Sequence, residues 1–230
     1  MVTKFLRQAV STQKNAKLYH LDSEYNLSQQ DAIQMYAWDG APNFGDMIGP
    51  WIAAQLTGKV VLNVASLKSS SGAILGVGSI IGTPTVHHRN MKIWGSGLIT
   101  DKKIHKTMLK LKLSNVSQIV AVRGLLTQKK LSQYGFDVQP IYGDPGLVFS
   151  QLYDPVMVRE NKKIVIVPHY IHFEFFQQMN LGEFHVVDVR KNVTKVVDEI
   201  SSADVVISTS LHGLIIAQSY GIPWVHLHIQ

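Results

Sequence analysis

The sequence predicts an α/β protein with two Rossmann-like parallel-sheet domains, and two observations lead to that prediction. Short runs rich in β-branched and other apolar residues alternate with stretches of helical periodicity along nearly the whole chain. The chain has 230 residues, of which 46% are hydrophobic and 17% charged, so it can bury a large core and is too apolar for a disordered protein. Alternating strands and helices favour parallel sheets with helices on both faces.

The first half of the chain is predicted to contain five strands and three helices. The strands are short apolar runs, and the helices have apolar residues three or four positions apart, as in Ile104, Met108 and Leu111. In chain order, the predicted elements are strand 33–38, helix 46–56, strands 60–64, 73–77 and 92–94, helix 103–113, strand 118–122 and helix 125–134.

The second half is predicted to contain four strands and three helices. They are strand 163–167, helix 172–179, strand 185–189, helix 193–201, strand 204–208, helix 211–220 and strand 224–227. Turn-forming residues at 144–146, at 153–155 and in the polar stretch 159–163 separate the halves, so the predicted domains are 1–155 and 156–230. Because the second half ends just after a strand, we expect it to be a Rossmann-like domain that is incomplete at its C-terminus.

The composition excludes several kinds of protein and site. The chain has no cysteine, which removes disulfides, thiolate metal sites and a cysteine nucleophile. Its longest apolar stretches, such as 73–82, are shorter than the roughly 18 to 20 residues that cross a bilayer. The first 13 residues lack the apolar core of a secretory signal. We therefore predict a soluble, cytoplasmic protein.

The positive charge is concentrated in one window. Between Arg89 and Lys130 there are ten basic residues and one acid, Asp101, whereas the rest of the chain has 12 basic and 15 acidic residues. Such a window predicts an anionic partner, which could be a phosphorylated ligand, an acidic polymer, an anionic membrane surface or nucleic acid. The alternative is a solvated helix face. Trp94 is the only aromatic residue in the window, which argues against single-stranded nucleic acid.

The segment 208–213 is the clearest candidate for chemistry, because three hydroxyl residues, a histidine and a glycine follow an apolar strand. Ligands bind beyond the carboxyl ends of parallel strands, and the start of a helix attracts anions. Ser208, Thr209 or Ser210 can cap the helix, and His212 can transfer a proton near neutral pH. The alternative is a histidine that only packs and caps. A serine nucleophile is not supported, since Gly-x-Ser-x-Gly is absent.

Three other junctions are candidates. Arg123 follows an apolar strand and precedes Gly124, where it can bind a carboxylate or phosphate or else form a salt bridge to Asp144. Asp46 is predicted to cap a helix, or to act with Asn43 on sugar hydroxyls. His169 can hold an anion or be merely solvated.

No metal or cofactor site is predicted. His87 and His88 lack matching ligands at useful spacing, so a metal site is not expected. The glycine-rich junctions 76–79 and 95–97 complete neither a dinucleotide-binding nor a Walker pattern.

Taken together and in order, these junctions resemble the polysaccharide pyruvyl transferase family, in particular its exopolysaccharide ketal-pyruvate transferase branch. The matching segments are 43–46 (Asn-Phe-Gly-Asp), 94–97 (Trp-Gly-Ser-Gly), 121–124 (Ala-Val-Arg-Gly) with 126–127, 142–145 (Tyr-Gly-Asp-Pro), 166–170 (Ile-Val-Pro-His-Tyr), and 208–213 with 220–223.

The resemblance implies a GT-B-like pair of domains, phosphoenolpyruvate as donor and a saccharide acceptor that could be lipid-linked at the inner face of the membrane. It implies His212 and Arg123 at the donor, in a reaction that needs no metal or redox cofactor. Asp46 or His169 could orient or deprotonate the acceptor, so the expected catalytic residues are His212, Arg123 and Asp46. The expected donor-binding residues are Arg123, His169, Ser210, Leu211, His212 and Gly213; the expected acceptor-binding residues are Asn43, Asp46 and Ser96. The first domain is assigned to the acceptor and the second to the donor.

Two other functions stay open at this point. One is a GT-B-type glycosyltransferase that uses a nucleotide sugar, although no acidic ribose partner is evident after the segment 182–189. The other is a non-catalytic protein that binds an anionic polysaccharide through the basic window, with the steep salt dependence of polyelectrolyte binding.

Overall fold

A computed structural model describes residues 7–10, 17–20, 32–99, 104–156, 164–179 and 181–229. The chain forms two compact units, one from 1–39 and 49–145 and the other from 40–48 and 146–230. The units therefore differ from the predicted domains 1–155 and 156–230 at two segments, 40–48 and 146–155. The assignment of domains to donor and acceptor stays a prediction.

In its described residues, the first unit contains nine strands and most of three helices. The strands are β1 (Arg7–Val10), β2 (Lys17–His20), β3 (Ile33–Tyr36), β4 (Val61–Asn63), β5 (Ser70–Ser71), β6 (Ile74–Leu75), β7 (His88–Arg89), β8 (Lys92–Trp94) and β9 (Gln118–Ala121). The helices are α1 (Phe44–Thr57), α2 (Ile104–Leu113) and α3 (Leu125–Gln133); the first residues of α1 belong to the second unit.

Seven of these strands form one sheet in the order β1-β2-β4-β3-β6-β8-β9. Strands β4, β3, β6, β8 and β9 are parallel, whereas β2 is antiparallel to both β1 and β4. Strands β5 and β7 form a separate parallel pair. The expectation of a wholly parallel sheet is therefore wrong at the β1-β2 edge.

Helices α2 and α3 lie on a shared core cluster in the first unit. Ile104, Met108 and Leu111 place one face of α2 in this cluster, and Leu131 does the same for α3. Ile93 of β8 belongs to the same cluster. The helical spacing of these apolar residues is what the sequence predicted, and their burial stabilises the helices more than intrinsic propensity does.

The second unit contains a four-stranded parallel sheet. Its strands are β10 (Ile164–Val167), β11 (His185–Val186), β12 (Val205–Ser208) and β13 (Trp224–His226), in the order β11-β10-β12-β13. Its helices are α4 (Phe173–Gln178), α5 (Val193–Ser201) and α6 (Leu211–Ser219). Short 3-10 helices occupy Pro145–Gln151 and Tyr170–His172.

All nine predicted strands and all six predicted helices are present, so the α/β class is confirmed. Strands β1, β2, β5 and β7 were not predicted from the sequence. Among the described residues, no helix is long and apolar enough to cross a membrane. The GT-B-like arrangement of the two domains stays a prediction.

Gly95 and Gly135 provide a matched test of packing in the first unit, since their φ angles are +78° and +82°. A Cβ on Gly95 would lie 2.8 Å from the carbonyl oxygen of Gly143, whereas one on Gly135 would meet nothing within 4 Å. We expect Gly135→Ala to lower the free energy of unfolding by about 1 kcal/mol, the cost of its positive φ. Gly95→Ala should cost about 2 kcal/mol more, because backbone must move.

Urea denaturation of the two variants measures the difference. Equal losses of stability for Gly95→Ala and Gly135→Ala would show that the contact between the Gly95 and Gly143 loops does not constrain the fold.

Candidate active site

Each sheet has a point at which the direction of strand addition reverses. In the first unit β3 lies between β4 and β6, and in the second unit β10 lies between β11 and β12. Open parallel sheets bind ligands at such points, beyond the carboxyl ends of the strands. In the first unit Ser96 follows β8 and Arg123 follows β9, whereas in the second unit His169 follows β10 and His212 follows β12.

In the first unit, Arg123 is held by two side chains. Its Nε donates to Asp144 Oδ2 at 3.1 Å, and its Nη1 donates to Ser79 Oγ at 2.7 Å. The salt bridge confirms the structural alternative considered from the sequence, and Ser79 is a partner that the sequence did not reveal. Nη2 is buried and has no hydrogen-bond partner among the described residues. A guanidinium fixed in this way keeps one donor nitrogen for a carboxylate or phosphate.

The loop after β8 packs against Arg123 and forms a hydrogen bond to its backbone. A Cβ on Gly97 would lie 3.4 Å from Cζ and Nη1 of Arg123, at van der Waals distance, so the loop packs closely against the guanidinium. The backbone N–H of Arg123 donates to the carbonyl of Ser96 at 3.0 Å.

Ser96 itself is 0% exposed, and its hydroxyl donates to the Gly78 carbonyl at 2.8 Å. This hydroxyl therefore joins the loops after β6 and β8, and its predicted contact with the acceptor remains untested. By contrast, a Cβ on Gly124 would meet nothing within 4 Å, so the start of α3 beside Arg123 is open.

In the second unit, the start of α6 is anchored by a buried hydroxyl. Ser208 Oγ donates to the Val167 carbonyl at 2.6 Å and accepts from the Ser210 N–H at 2.9 Å. A Cβ on Gly213 would lie 2.5 Å from that Oγ, so α6 can approach the sheet this closely only with glycine there.

Ser210 occupies the N-cap position of α6, yet its side chain makes no capping hydrogen bond. The residue is only 4% exposed. The first N–H groups of a helix have no intrahelical acceptors, and they carry the positive end of the helix dipole. Leu211, His212 and Gly213 form this first turn, whose N–H groups are suited to binding an anion.

His212 packs directly against the segment 43–46. A Cβ on Gly45 would lie 2.7 Å from Cγ of the imidazole, so glycine is needed there to make room for the ring. Asn43 Nδ2 donates to Asp46 Oδ2 at 2.8 Å, and the Phe44 N–H donates to the Val189 carbonyl at 2.8 Å. The second unit therefore brings together the segment 43–46 and the start of α6, which lie far apart in the sequence.

The prediction that Asp46 caps α1 is wrong, because the helix begins two residues earlier at Phe44. Asn43 takes the flanking position, and its Oδ1 accepts from the Gly45 N–H at 3.4 Å. Asp46 lies in the first turn, where its carboxylate bonds to the Asn43 amide. Asn43 and Asp46 were assigned to the first domain, but they belong to the same compact unit as His212.

His169 lies beside Thr209, which was considered from the sequence only as a helix cap, and beside His172, which was not selected. The His169 N–H donates to Thr209 Oγ1 at 2.8 Å, and His172 Nδ1 lies 3.1 Å from the same oxygen. Burial, followed by the nearby His172, lowers the pKa of His169 below its ordinary value of 6.5. The position of Thr209 directly after β12 was the available signal, since the ends of β10 and β12 must lie side by side.

Among the residues that the structure describes, no group of three or more potential ligands could hold a metal ion. His88 is buried, and its Nδ1 lies 2.8 Å from the hydroxyl of Ser70. The ring of His88 also packs edge-on against Tyr36. His88 therefore has a structural role in these contacts.

The profile of the polysaccharide pyruvyl transferase family matches residues 70–228 of the chain. The chain belongs to this family. An uncharacterized protein of Acanthamoeba polyphaga mimivirus is 27% identical over 197 residues, covering 80% of the chain and 63% of that relative. The chain thus spans less than two thirds of the relative's length. No solved structure matches the chain significantly.

The family match covers most of the candidate residues described above. Arg123, Asp144, His169 and His212 lie within residues 70–228, whereas the segment 43–46 precedes the match. The contact between His212 and Gly45 therefore joins the matched region to a part of the chain outside it.

In this chain, His169 should titrate below the ordinary histidine range, because its charged form is opposed by burial and by His172. Replacing His172 with glutamine removes the charge repulsion that contributes to the lowered pKa of His169. We therefore expect the pKa of His169 to rise while staying below its ordinary value, because burial still lowers it. Proton and nitrogen NMR of the imidazoles over a pH series measures both values.

His185→Gln serves as the control for the titration, because His185 pairs with Glu199 rather than with His169. An unchanged pKa of His169 in the His172→Gln variant would contradict the expected coupling of the two rings.

Proposed function

We propose that the chain carries the active site of a transferase that moves the pyruvyl group of phosphoenolpyruvate onto a sugar of a polysaccharide as a ketal, with release of phosphate. The observation that supports this most directly is the start of α6. There a buried serine makes no capping bond, and a histidine of the first turn lies against Gly45. Family membership supports a transferase and a saccharide acceptor; phosphoenolpyruvate as donor and the kind of polysaccharide are our proposal.

Phosphoenolpyruvate has two anionic groups, a phosphate and a carboxylate, and the proposed donor residues suit both. The N–H groups at Leu211, His212 and Gly213 would bind one anionic group at the positive end of α6. Arg123 would bind an anionic group through the nitrogen that neither Asp144 nor Ser79 occupies. His169 and the Ser210 hydroxyl would complete the donor contacts.

The proposed reaction begins with protonation of the donor's methylene carbon. His212, as imidazolium, would give this proton, which leaves a cationic centre at C2 that a sugar hydroxyl attacks. The carbon–oxygen bond to phosphate then breaks, and a second hydroxyl closes the ketal ring. Of the two hydroxyl protons released, one replaces the proton that His212 gave and the other leaves with phosphate.

Asp46 is the proposed group that orients or deprotonates the acceptor. Its carboxylate is held by the Asn43 amide at 2.8 Å, and it directly follows the glycine that packs on His212. A base close to the acid allows the acceptor proton and the donor proton to move in one site. These steps use no metal or redox cofactor.

We expect His212→Asn to lower the rate of phosphate release by about 10² to 10⁴-fold, the range for loss of a general acid. Arg123→Lys should mainly weaken donor binding, because the single nitrogen of an ammonium cannot occupy the separate positions from which Nε and Nη1 contact Asp144 and Ser79 and Nη2 would contact the donor. Phosphate release and ketal formation are measured with phosphoenolpyruvate and a saccharide acceptor. His87→Asn is the control, since His87 is an exposed histidine of the first unit.

If His212→Asn and Arg123→Lys leave both rate and affinity unchanged, the site assignment is wrong. Calorimetric titration with phosphoenolpyruvate and with a UDP-sugar tests the donor independently of any acceptor. Binding of the UDP-sugar alone would favour a glycosyltransferase, and binding of neither would contradict the proposed donor.

A further inference from the structure

Helix α2 exposes leucines on the side opposite its core contacts. Ile104, Met108 and Leu111 are buried in the core of the first unit, whereas Leu109 and Leu113 are 59% and 56% exposed. These two leucines are one helical turn apart and therefore lie on one face. The proposed catalytic reaction does not use this face.

Helix α3 shows the same pattern. It buries Thr127 and Leu131, while Leu126 is 83% exposed. Beside Leu126, the loop after β8 exposes 81% of Ile99. An open groove of about 420 Å³ is lined by Leu98, Ile99, Leu126, Thr127, Lys129, Lys130 and Gln133.

The two helices cover the same core cluster of the first unit. The hydroxyl of Tyr134, at the end of α3, lies 2.8 Å from Nδ1 of His105 in α2. Their outward faces therefore belong to one surface. We call it the lysine–leucine face, and it consists of Lys106, Leu109, Lys112, Leu113, Leu126 and Lys129.

The charge of this surface has one sign. The sequence has no acidic residue from 104 to 134, and Lys106, Lys112 and Lys129 are exposed. A soluble polyanion would use the lysines but leave the leucines in water. An anionic bilayer offers phosphates to the lysines and an apolar interface to the leucines, so it complements both features.

We propose that the lysine–leucine face binds the surface of an anionic membrane, with the lysines at lipid phosphates and the leucines at the boundary of the acyl chains. Such binding is peripheral and requires no spanning helix. The proposal goes beyond the proposed reaction and does not depend on it, because membrane binding is measured without donor or acceptor.

The charge part is tested by flotation with vesicles of phosphatidylglycerol and phosphatidylcholine in equal parts, compared with phosphatidylcholine alone. We expect binding only to the anionic vesicles. Lys106→Gln/Lys112→Gln/Lys129→Gln should weaken the vesicle affinity by about a hundredfold, because each lysine near an anionic surface contributes substantially. The control Lys59→Gln/Lys68→Gln/Lys195→Gln removes the same charge from exposed lysines elsewhere and should change affinity several-fold at most.

The apolar part is tested with two leucines that are equally exposed near the ends of helices. Leu113 of α2 and Leu56 of α1 are each 56% exposed. Leu113→Gln should weaken vesicle binding by about tenfold, as expected for loss of a buried aliphatic side chain from the interface. Leu56→Gln should leave it unchanged.

The absence of native cysteine allows the insertion to be observed directly. A fluorophore sensitive to polarity, attached at Leu113→Cys, should shift its emission to the blue with anionic vesicles, whereas one at Leu56→Cys should not. Three results would overturn the proposal. The first is equal affinity for neutral and anionic vesicles, and the second is an equal loss of vesicle affinity in the two lysine triple variants. The third is a loss of affinity in the first lysine triple variant with no effect of Leu113→Gln and no blue shift at Leu113→Cys. That third result would indicate a site for a soluble polyanion instead.

Discussion

The buried hydroxyl of Ser208 sets the geometry on which the site of the second unit depends. It bonds to the Val167 carbonyl at the end of β10 and to the Ser210 N–H at the start of α6, so one oxygen ties two central strands to a helix. Gly213 permits this close approach, and the approach places His212 against Gly45. In the first unit, Ser96 joins two loops in a similar way and thereby supports Arg123. Buried polar groups whose hydrogen bonds are satisfied hold the surrounding side chains and loops rigidly.

The main strands and helices were predictable because their residues repeat with the period of the element they form. Helix α5 is the clearest case, with Val193, Val196, Val197 and Ile200 all buried on one face. Strand β5 could not be predicted in this way, because two serines between polar residues carry no apolar pattern. Local periodicity likewise does not predict the order of the strands within a sheet. That order arises from pairings such as β3 with β6, in which the partners Met35 and Ile74 lie 39 residues apart.

The site was predictable in part, because its residues follow strands and belong to ordered motifs. The salt bridge between Arg123 and Asp144 was foreseen as one of two alternatives. The start of α1 was misplaced, since Asn43 and Asp46 are both able to cap and the local sequence does not distinguish them. The roles of Thr209 and His172 beside His169 were missed, because they come from contacts across two parallel strands. Long-range contacts of this kind depend on packing that a single sequence does not display.

Helix α1 begins among the residues of the second unit and ends among those of the first, so the second unit is discontinuous in sequence. This arrangement limits which fragments of the chain can keep all residues of the second unit. A fragment that starts at residue 146 would retain the parallel sheet, Ser208 and His212, yet it would lack Gly45 and the carboxylate of Asp46. The imidazole would then lose its contact with Gly45. Joining such a fragment to a foreign first domain would transfer the proposed anion-binding helix start without the proposed base, Asp46.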